Sequence, residues 1–319
     1  MSAPLVSVIC LCYNHEQFLE EAIVSVINQT YQNIQIIVVD DASQDGSVKK
    51  IEQIISGRPS IEFLPLENNH GNCKAFNIGL SKVKGDFVID LATDDVMLPD
   101  RIEKQVKQFL SLDHDYGVVF SDAIYISTEG KTIRKHFEYL FQKNLITTIP
   151  QGDVYRDVLS TYFIPSPTMM TRKSVFDDLE GYDERLSYED FDFWVRSARK
   201  FKYAYLDEIT TKIRLSARSM STTWYKVGDK QLHSTYLICE KAVKLNQSPA
   251  DELALAKRLK YEIRQSVFSE NVVEAKLFYN LLQKIGYHDT TSRLLIFLNE
   301  MNLPLAWLRN LYHRLRFKK

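Results

Sequence analysis

An α/β fold, with a mostly parallel mixed sheet flanked by helices and a helical C-terminal extension, is what this sequence predicts. Three observations predict it. Strand-like and helix-like segments alternate as far as Ile126. The strand-like runs are nearly continuous in apolar residues, as expected of strands covered on both faces. Beyond about Gly228 the pattern turns helical almost throughout.

The elements follow in order. Val6–Leu11 is a buried-strand run, and Glu16–Gln29 places Phe18, Leu19, Ala22, Ile23, Val26 and Ile27 on one helical face. Ile34–Val39 is the second strand. Asp45-Gly46-Ser47 opens a helix through about Ile55, with Ser47 or Asp45 as its cap. Ile61–Leu66 is the third strand, Asn68–Gly71 a turn, and Cys73–Ser81 a helix. Asp86–Leu91 is the fourth strand, Pro99 opens a helix through about Leu110, and Tyr116–Ile126 is strand-like again. Residues 127–228 are less regular, with a strand expected around Thr168–Thr171 and a helix over Glu189–Arg199. The boundary falls near Gly228, giving domains 1–228 and 229–319.

At 319 residues, 45% hydrophobic and 25% charged, the chain can bury a sizeable core. Its apolar runs are too short to span a bilayer, and Met1-Ser2-Ala3-Pro4 lacks the basic start and apolar stretch of a signal peptide. The expectation is a cytoplasmic protein. Cys10, Cys12, Cys73 and Cys239 are read as small core residues in a reducing compartment, because no further Cys or His pair completes a metal site. The net charge of −1 hides an asymmetry: 25 Lys/Arg against 32 Asp/Glu in 1–228, and 15 against 9 beyond. An acidic working half argues against a nucleic-acid substrate.

In an open α/β sheet, ligands bind beyond the carboxyl ends of the strands. Here those loops carry Tyr13-Asn14-His15, Asp40-Asp41, Glu67-Asn68-Asn69-His70-Gly71 and Thr93-Asp94-Asp95. Adjacent carboxylates such as Asp94 and Asp95 repel unless a cation is near, and hard oxygen ligands suit Mn²⁺ or Mg²⁺ beside a phosphate. Capping of the next helix is the competing explanation. Asp40-Asp41 suit hydrogen bonds to a base or ribose, or alternatively a turn aspartate bonding its own backbone. Gly71 lets the backbone approach a ligand, but no Gly-Lys-Ser/Thr follows to make a phosphate loop. Tyr188-Glu189-Asp190-Phe191-Asp192-Phe193-Trp194 starts a helix with three acids, as the dipole favours; a carboxylate there can also take a proton from an attacking hydroxyl.

In order along the chain, these stretches resemble the family-2 glycosyltransferases of GT-A fold. The resemblance covers roughly residues 4–225. It rests on Val6–Ile9 with Tyr13-Asn14, Ser25–Tyr31, Val38–Ser47, Asn69-His70-Gly71 with Ala75, Asn77 and Gly79, Leu91–Asp95 with Pro99-Asp100-Arg101, and Glu189-Asp190 before Trp194. It implies that 1–228 is the catalytic domain. It implies nucleotide-sugar binding by Tyr13, Asn14, Asp40, Asp41, Gly71, Asn77 and Asp94, with Asp41 on the base or ribose. Asp94 and Asp95 would hold the Mn²⁺ or Mg²⁺ and the diphosphate, and Asp190 would be the base of an inverting displacement. The implied partners are a nucleotide-sugar donor, a UDP-hexose or UDP-N-acetylhexosamine, and a glycan or lipid-linked acceptor in polysaccharide assembly at the cell envelope. Two positions depart from the pattern: Ala92 replaces the first Asp of the metal triplet, and Ser216 stands where members often carry His. Arg214 and Arg218 are then candidate phosphate contacts. Those departures keep open a nucleotide- or glycan-binding protein without turnover. A sugar nucleotidyltransferase is disfavoured because Tyr13-Asn14-His15-Glu16 is neither glycine-rich nor basic.

The last segment, 303–319, has five Lys/Arg and no acid, with Leu308, Leu311, Tyr312 and Leu315 on one face. It reads either as a helix packed on the catalytic domain or as a basic amphipathic helix peripheral to an anionic membrane.

Overall fold

The computed structural model of the protein describes residues 3–216 and 225–301. The chain divides into two compact units, one of Met1–Val154 with Phe163–Ala217, the other of Tyr155–Tyr162 with Arg218–Lys319.

The first unit opens with β1 (Val6–Cys12), α1 (Leu19–Ile27), β2 (Ile34–Asp40), α2 (Ser47–Ile55), β3 (Ile61–Pro65), α3 (Asn72–Leu80), β4 (Phe87–Ala92) and β5 (Val96–Met97). It continues through α4 (Arg101–Leu110), β6 (Tyr116–Ile126), β7 (Thr132–Lys135) and α5 (His136–Gln142). The next helix, α6 (Tyr155–Ser160), belongs to the other unit. The first unit then closes with β8 (Met170–Arg172), α7 (Lys173–Leu179), α8 (Asp190–Ser197) and β9 (Lys202–Arg214).

One sheet runs β3-β2-β1-β4-β8-β6-β9-β5, with β7 added to β6. Strand β1 is parallel to β2 and β4, and β2 to β3. Beyond β4 the sheet is mixed: β8 is antiparallel to β4 and β6, β9 parallel to β6, and β5 antiparallel to β9. This is the expected α/β architecture. All seven residues of β1 are buried, which explains its unbroken apolar run. Helix α1 lays Leu19, Ala22, Ile23 and Val26 into the core with Val8, Cys10, Ile36, Val38, Ile89 and Ile102. The four cysteines are buried free thiols.

Local differences have physical causes. Thr168 is not in a strand: Pro165 leads into a single 3₁₀ turn, Ser166–Thr168, before β8. The 13-residue strand β9 is hidden from sequence periodicity because its pairing with β6 slips around Asp207-Glu208: Leu206 pairs with Ser121, but Ile209 with Asp122. The slip breaks the alternation that marks a strand.

The second unit holds α6, α9 (Lys230–Leu245), α10 (Pro249–Phe268), α11 (Val272–Lys284) and α12 (Thr290–Glu300). Side chains of Asp229, Ser248 and Asp289 accept main-chain amides at the starts of α9, α10 and α12. Leu232, Ile238, Leu255, Leu259, Ile263, Phe278 and Leu282 are buried. Among the described residues, no helix is long and apolar enough to cross a membrane. The basic segment 303–319 and Arg218 lie outside the described residues.

Candidate active site

The loops at the carboxyl ends of β1, β2 and β4 are tied to one another by side-chain hydrogen bonds. After β1, Asn14 adopts a left-handed backbone (φ 58°), and after β2, Ala42 does the same (φ 60°). A left-handed non-glycine residue is strained and persists only where its surroundings hold it. Here Ser43 does so: its hydroxyl accepts the Asn14 amide at 2.8 Å, and Asn14 Oδ1 accepts the Gln44 amide at 2.7 Å. Asp40 completes the turn, with Oδ1 on the Ser43 amide at 2.9 Å and Oδ2 on its hydroxyl at 2.6 Å. Asp40 is fully buried and is therefore a turn aspartate.

Asp41 reaches the other way. Its two carboxylate oxygens accept the main-chain amides of His70 and Gly71, at 2.7 and 2.8 Å. Gly71 has a φ of 82°, which only glycine adopts freely, and it leads directly into α3. Asp41 thereby shapes the 69–71 turn. Tyr13 stands 45% exposed beside these loops in the sequence. Asn77 lies elsewhere in its bonding: its amide pairs with both the main-chain carbonyl and amide of Tyr182, at 2.9 Å each. It fixes the segment that precedes α8.

Asp94 and Asp95 differ sharply. Asp95 is 3% exposed, and its Oδ1 accepts the Arg214 amide at 2.8 Å. Burial, then the Asp94 charge, pushes its carboxyl well up, against the pull of Arg214 and Arg101. Asp94 keeps a side chain about a fifth exposed, and no hydrogen bond among the described residues ties its carboxylate. The Asp94 carbonyl accepts from Arg214 Nε at 3.0 Å. Arg214 is 3% exposed; it also donates to the carbonyls of Ser127 and Thr128 and to Glu21 at 2.6 Å, and lies 4.5 Å over the Phe18 ring. The expected phosphate contact by Arg214 is thus corrected: its guanidinium clamps the Asp94 loop to α1 and to the β6–β7 turn.

His15 faces the same loop. Its Nδ1 is 3.0 Å from Thr93 Oγ1, its Nε2 is 4.0 Å from Asp94 Oδ2, and its amide donates to Ser47 Oγ at 3.2 Å. No group of three His, Cys, Asp or Glu side chains gathers for a metal among the described residues. An ion of the Mg²⁺ or Mn²⁺ kind keeps waters and binds through one or two protein ligands plus substrate phosphates. The open, untethered Asp94 carboxylate fits that description, and the buried, bonded Asp95 does not.

A second carboxylate group forms around α8. Asp190 begins the helix, and Glu189 precedes it. Asn72 Nδ2 donates to Glu189, which joins this group to the Gly71 turn. Asp90, on β4, accepts from Tyr182 Oη at 3.2 Å. Burial, then the Asp190 charge, pushes Asp90 up to about 7. Glu189 is raised well above the usual range by burial and by Asp190 and Asp90. Asp190 is also raised by burial, but hydrogen bonds from Ser166 and Glu189 hold it back. Asp190, Glu189 and Asp90 thus form one buried cluster in which burial and mutual repulsion disfavour the full complement of negative charges. Asp192, the third acid of the motif, is 1% exposed and pairs with Arg196 at 2.7 Å, so its part is structural.

Asp90, Tyr182 and Ser166 were not among the expected site residues, and His15 was expected only as part of the loop after the first strand. A signal existed for Asp90: a charged residue within the apolar run Phe87–Ala92, on the same strand face as Ala92. Tyr182 and Ser166 arrive by tertiary contact alone.

Acidic and polar loops joined at the carboxyl edge of parallel strands define an α/β ligand-binding enzyme site. The chain belongs to glycosyl transferase family 2, whose model matches residues 7–179. Similar proteins include an uncharacterised glycosyltransferase of Haemophilus influenzae, 28% identical over 228 residues, spanning 71% of this chain and 85% of that one. Another, from Rickettsia prowazekii, is 31% identical over 224 residues, spanning 69% and 67%. Among solved structures, Staphylococcus aureus TarS 1–349 in complex with UDP-GlcNAc matches with a TM-score of 0.72 at 17% identity, covering 96% of this chain and 92% of that one. The mannosyltransferase PcManGT of Pyrobaculum calidifontis, in complex with GDP-Man and Mn²⁺, gives 0.57 at 15% identity, covering 98% and 89%. These likenesses establish a GT-A fold, and family membership establishes a glycosyl-transfer role.

Proposed function

We propose that the protein is an inverting glycosyltransferase that moves a hexose or N-acetylhexosamine from a UDP-sugar onto an acceptor hydroxyl of a glycan or lipid-linked glycan. Catalysis belongs to the domain expected over 1–228. The observation that carries the proposal is the unequal treatment of its carboxylates. Asp94 is open, Asp95 is tied down, and Asp190 is a raised, ionisable carboxylate hydrogen-bonded by Ser166 and Glu189.

In this scheme Asp190 takes the proton from the acceptor oxygen as that oxygen attacks the anomeric carbon, and a single displacement inverts the centre. A carboxylate raised by burial is a stronger base than a free one. Glu189, held by Asn72, hydrogen-bonds to it and orients it. Asp94 is the protein ligand for Mn²⁺ or Mg²⁺, which supplies positive charge against the departing diphosphate. Asp95 and Arg214 position Asp94. Tyr13, Asn14 and the Asp41–Gly71 turn face the nucleoside, with Asp40 supporting the turn. UDP as the carrier is supported by the TarS complex, whose ligand is UDP-GlcNAc, while the PcManGT complex carries GDP-Man, so the base must be measured.

The test is thermal shift with UDP, GDP, dTDP and CDP, each with and without Mn²⁺. A ligand that binds only the native state raises the melting temperature by mass action, about 2.7 kcal/mol at a hundredfold excess over Kd. A Mn²⁺-dependent shift with UDP, lost in Asp94→Ala, is expected. No shift with any nucleotide would overturn the proposal and favour a protein without turnover.

A further inference from the structure

A chain of hydrogen bonds runs from the Leu11 carbonyl through the Thr93 hydroxyl to the His15 ring. The Thr93 hydroxyl donates its one proton to the Leu11 carbonyl at 3.1 Å. With the Thr93 proton on that carbonyl, Oγ1 accepts from His15 Nδ1, 3.0 Å away, and the neutral ring carries its proton on Nδ1. In the neutral imidazole the lone pair is then on Nε2, and Nε2 is the atom that faces Asp94 Oδ2 at 4.0 Å.

That distance matters. It exceeds a hydrogen bond, which closes at about 3.2 Å. Two ligand atoms each about 2.1 Å from one ion stand about 3 Å apart in cis and at most about 4.2 Å apart. The 4.0 Å between His15 Nε2 and Asp94 Oδ2 falls inside that range, so both atoms can bind one cation. Metal-bound histidines characteristically donate their other ring N–H to a fixed acceptor, and Thr93 is that acceptor. Thr93 is fully buried, whereas His15 and Asp94 keep side-chain exposures of 25% and 21%, so the far side stays open to waters and phosphates. The main chain of His15 is anchored separately, by Ser47.

We propose that His15 Nε2 is the second protein ligand of the divalent cation, beside Asp94, with Thr93 accepting from Nδ1. This rests on the reading of Asp94 as a metal ligand. It gives the site one nitrogen and one carboxylate donor, a set that favours Mn²⁺ over Mg²⁺, because imidazole suits transition metals and oxygen suits Mg²⁺.

The experiment is pulsed electron paramagnetic resonance on the full-length protein with Mn²⁺ and UDP. A directly bound nitrogen gives a ¹⁴N modulation that a merely nearby ring does not. The modulation is expected in the wild type and absent in His15→Ala. Titration should show Mn²⁺ affinity in the presence of UDP falling by more than about 100-fold in His15→Ala and about 10- to 100-fold in Thr93→Val. Affinity for UDP without metal should stay unchanged. A protein-bound Mn²⁺ signal without nitrogen modulation in the wild type overturns the assignment of His15 while leaving Asp94 intact. Loss of UDP affinity in His15→Ala without metal overturns it in favour of a phosphate contact. No bound Mn²⁺ at all in the wild type would remove the metal reading itself. The wild-type spectrum needs no variant to fold.

Discussion

The main-chain amide of Arg214 donates to Asp95 Oδ1 at 2.8 Å, while the guanidinium of the same residue holds the carbonyl of Asp94 at 3.0 Å. One arginine thus immobilises a pair of adjacent aspartates, and it does so through different atoms. The pair should separate in mutagenesis. Asp95→Ala leaves the buried Arg214 amide without its acceptor and removes a negative charge near the buried Arg214 and Arg101, and should lower stability by about 1–3 kcal/mol. Calorimetry would register this as a melting temperature lower by several degrees. Asp94→Ala removes a part-exposed carboxylate with no hydrogen bond and should leave the melting temperature nearly unchanged, while abolishing Mn²⁺-dependent donor binding. Equal destabilisation by both would contradict the division of roles.

Asp190 carries the proton in the proposed displacement. Asp190→Asn keeps size and removes basicity, so turnover should fall about 10²- to 10⁴-fold. Donor affinity, measured by isothermal titration, should hold within about a factor of 3, because a proton transfer made only in the transition state adds nothing to ground-state binding. The pH profile is the finer test. The base works ionised, so the rate falls as pH drops through its pKa. Burial raises that pKa, and the acid limb should lie above about 3.9, the value of a free aspartate. A limb at or below that value would leave Asp190 as a structural acid.

Asp90 makes a prediction about stability and not rate. Its carboxyl is pushed up to about 7, with Asp190 from α8 and Glu189 just before it, Cys73 from α3, Cys10 from β1 and Tyr182 around it. Between about pH 4, where a free aspartate titrates, and pH 7, the folded protein binds a proton that the unfolded chain has released. Stability from this group is therefore full below that window and declines as pH rises through it. Asp90→Asn cannot ionise and still accepts from Tyr182. Its melting temperature should match the wild type near pH 4 and exceed it by about 8–16 °C at pH 8, three pH units at about 1.4 kcal/mol each and roughly 2–4 °C per kcal/mol. A constant offset across pH would show that packing, not charge, sets the difference.

The sequence made the parallel half of the sheet legible because β1, β2 and β4 sit in its interior and read as unbroken apolar runs. The same pattern placed Asp41, Gly71 and Asp94 at strand ends. Other features lie outside any local pattern. Strand β9 is concealed by a slipped register at Asp207-Glu208. Asp94 and Asp95 are indistinguishable in one dimension, since what separates them is Arg214, 119 residues from Asp95 along the chain. The carboxylate group around Asp190 needs Asp90 from a strand and Asn72 from a helix start, residues with no shared motif. Asn77 shows the reverse: a motif that implies donor contact also places its amide on the Tyr182 main chain, a tertiary bond no local pattern announces.

Arg258 and Glu262 form a buried ion pair in the helical unit, at 3.2 Å and one helical turn apart. Arg258 Nε also donates to the Leu159 carbonyl at 3.2 Å, and its guanidinium lies 3.9 Å over the Tyr162 ring. The pair therefore ties α10 to the short segment 155–162, which is distant in sequence but belongs to the same unit. Removing one partner of a buried pair strands the other charge and typically costs about 3–5 kcal/mol. Glu262→Ala should lower the unfolding transition of this unit, followed by calorimetry, whereas Glu262→Gln, which retains an acceptor for Arg258, should lower it less. If donor recognition belongs to the first unit alone, Mn²⁺-dependent UDP affinity well below the transition should match the wild type. A parallel fall in that affinity would mean that the helical unit takes part in donor binding, and the assignment of catalysis to residues 1–228 would have to be redrawn.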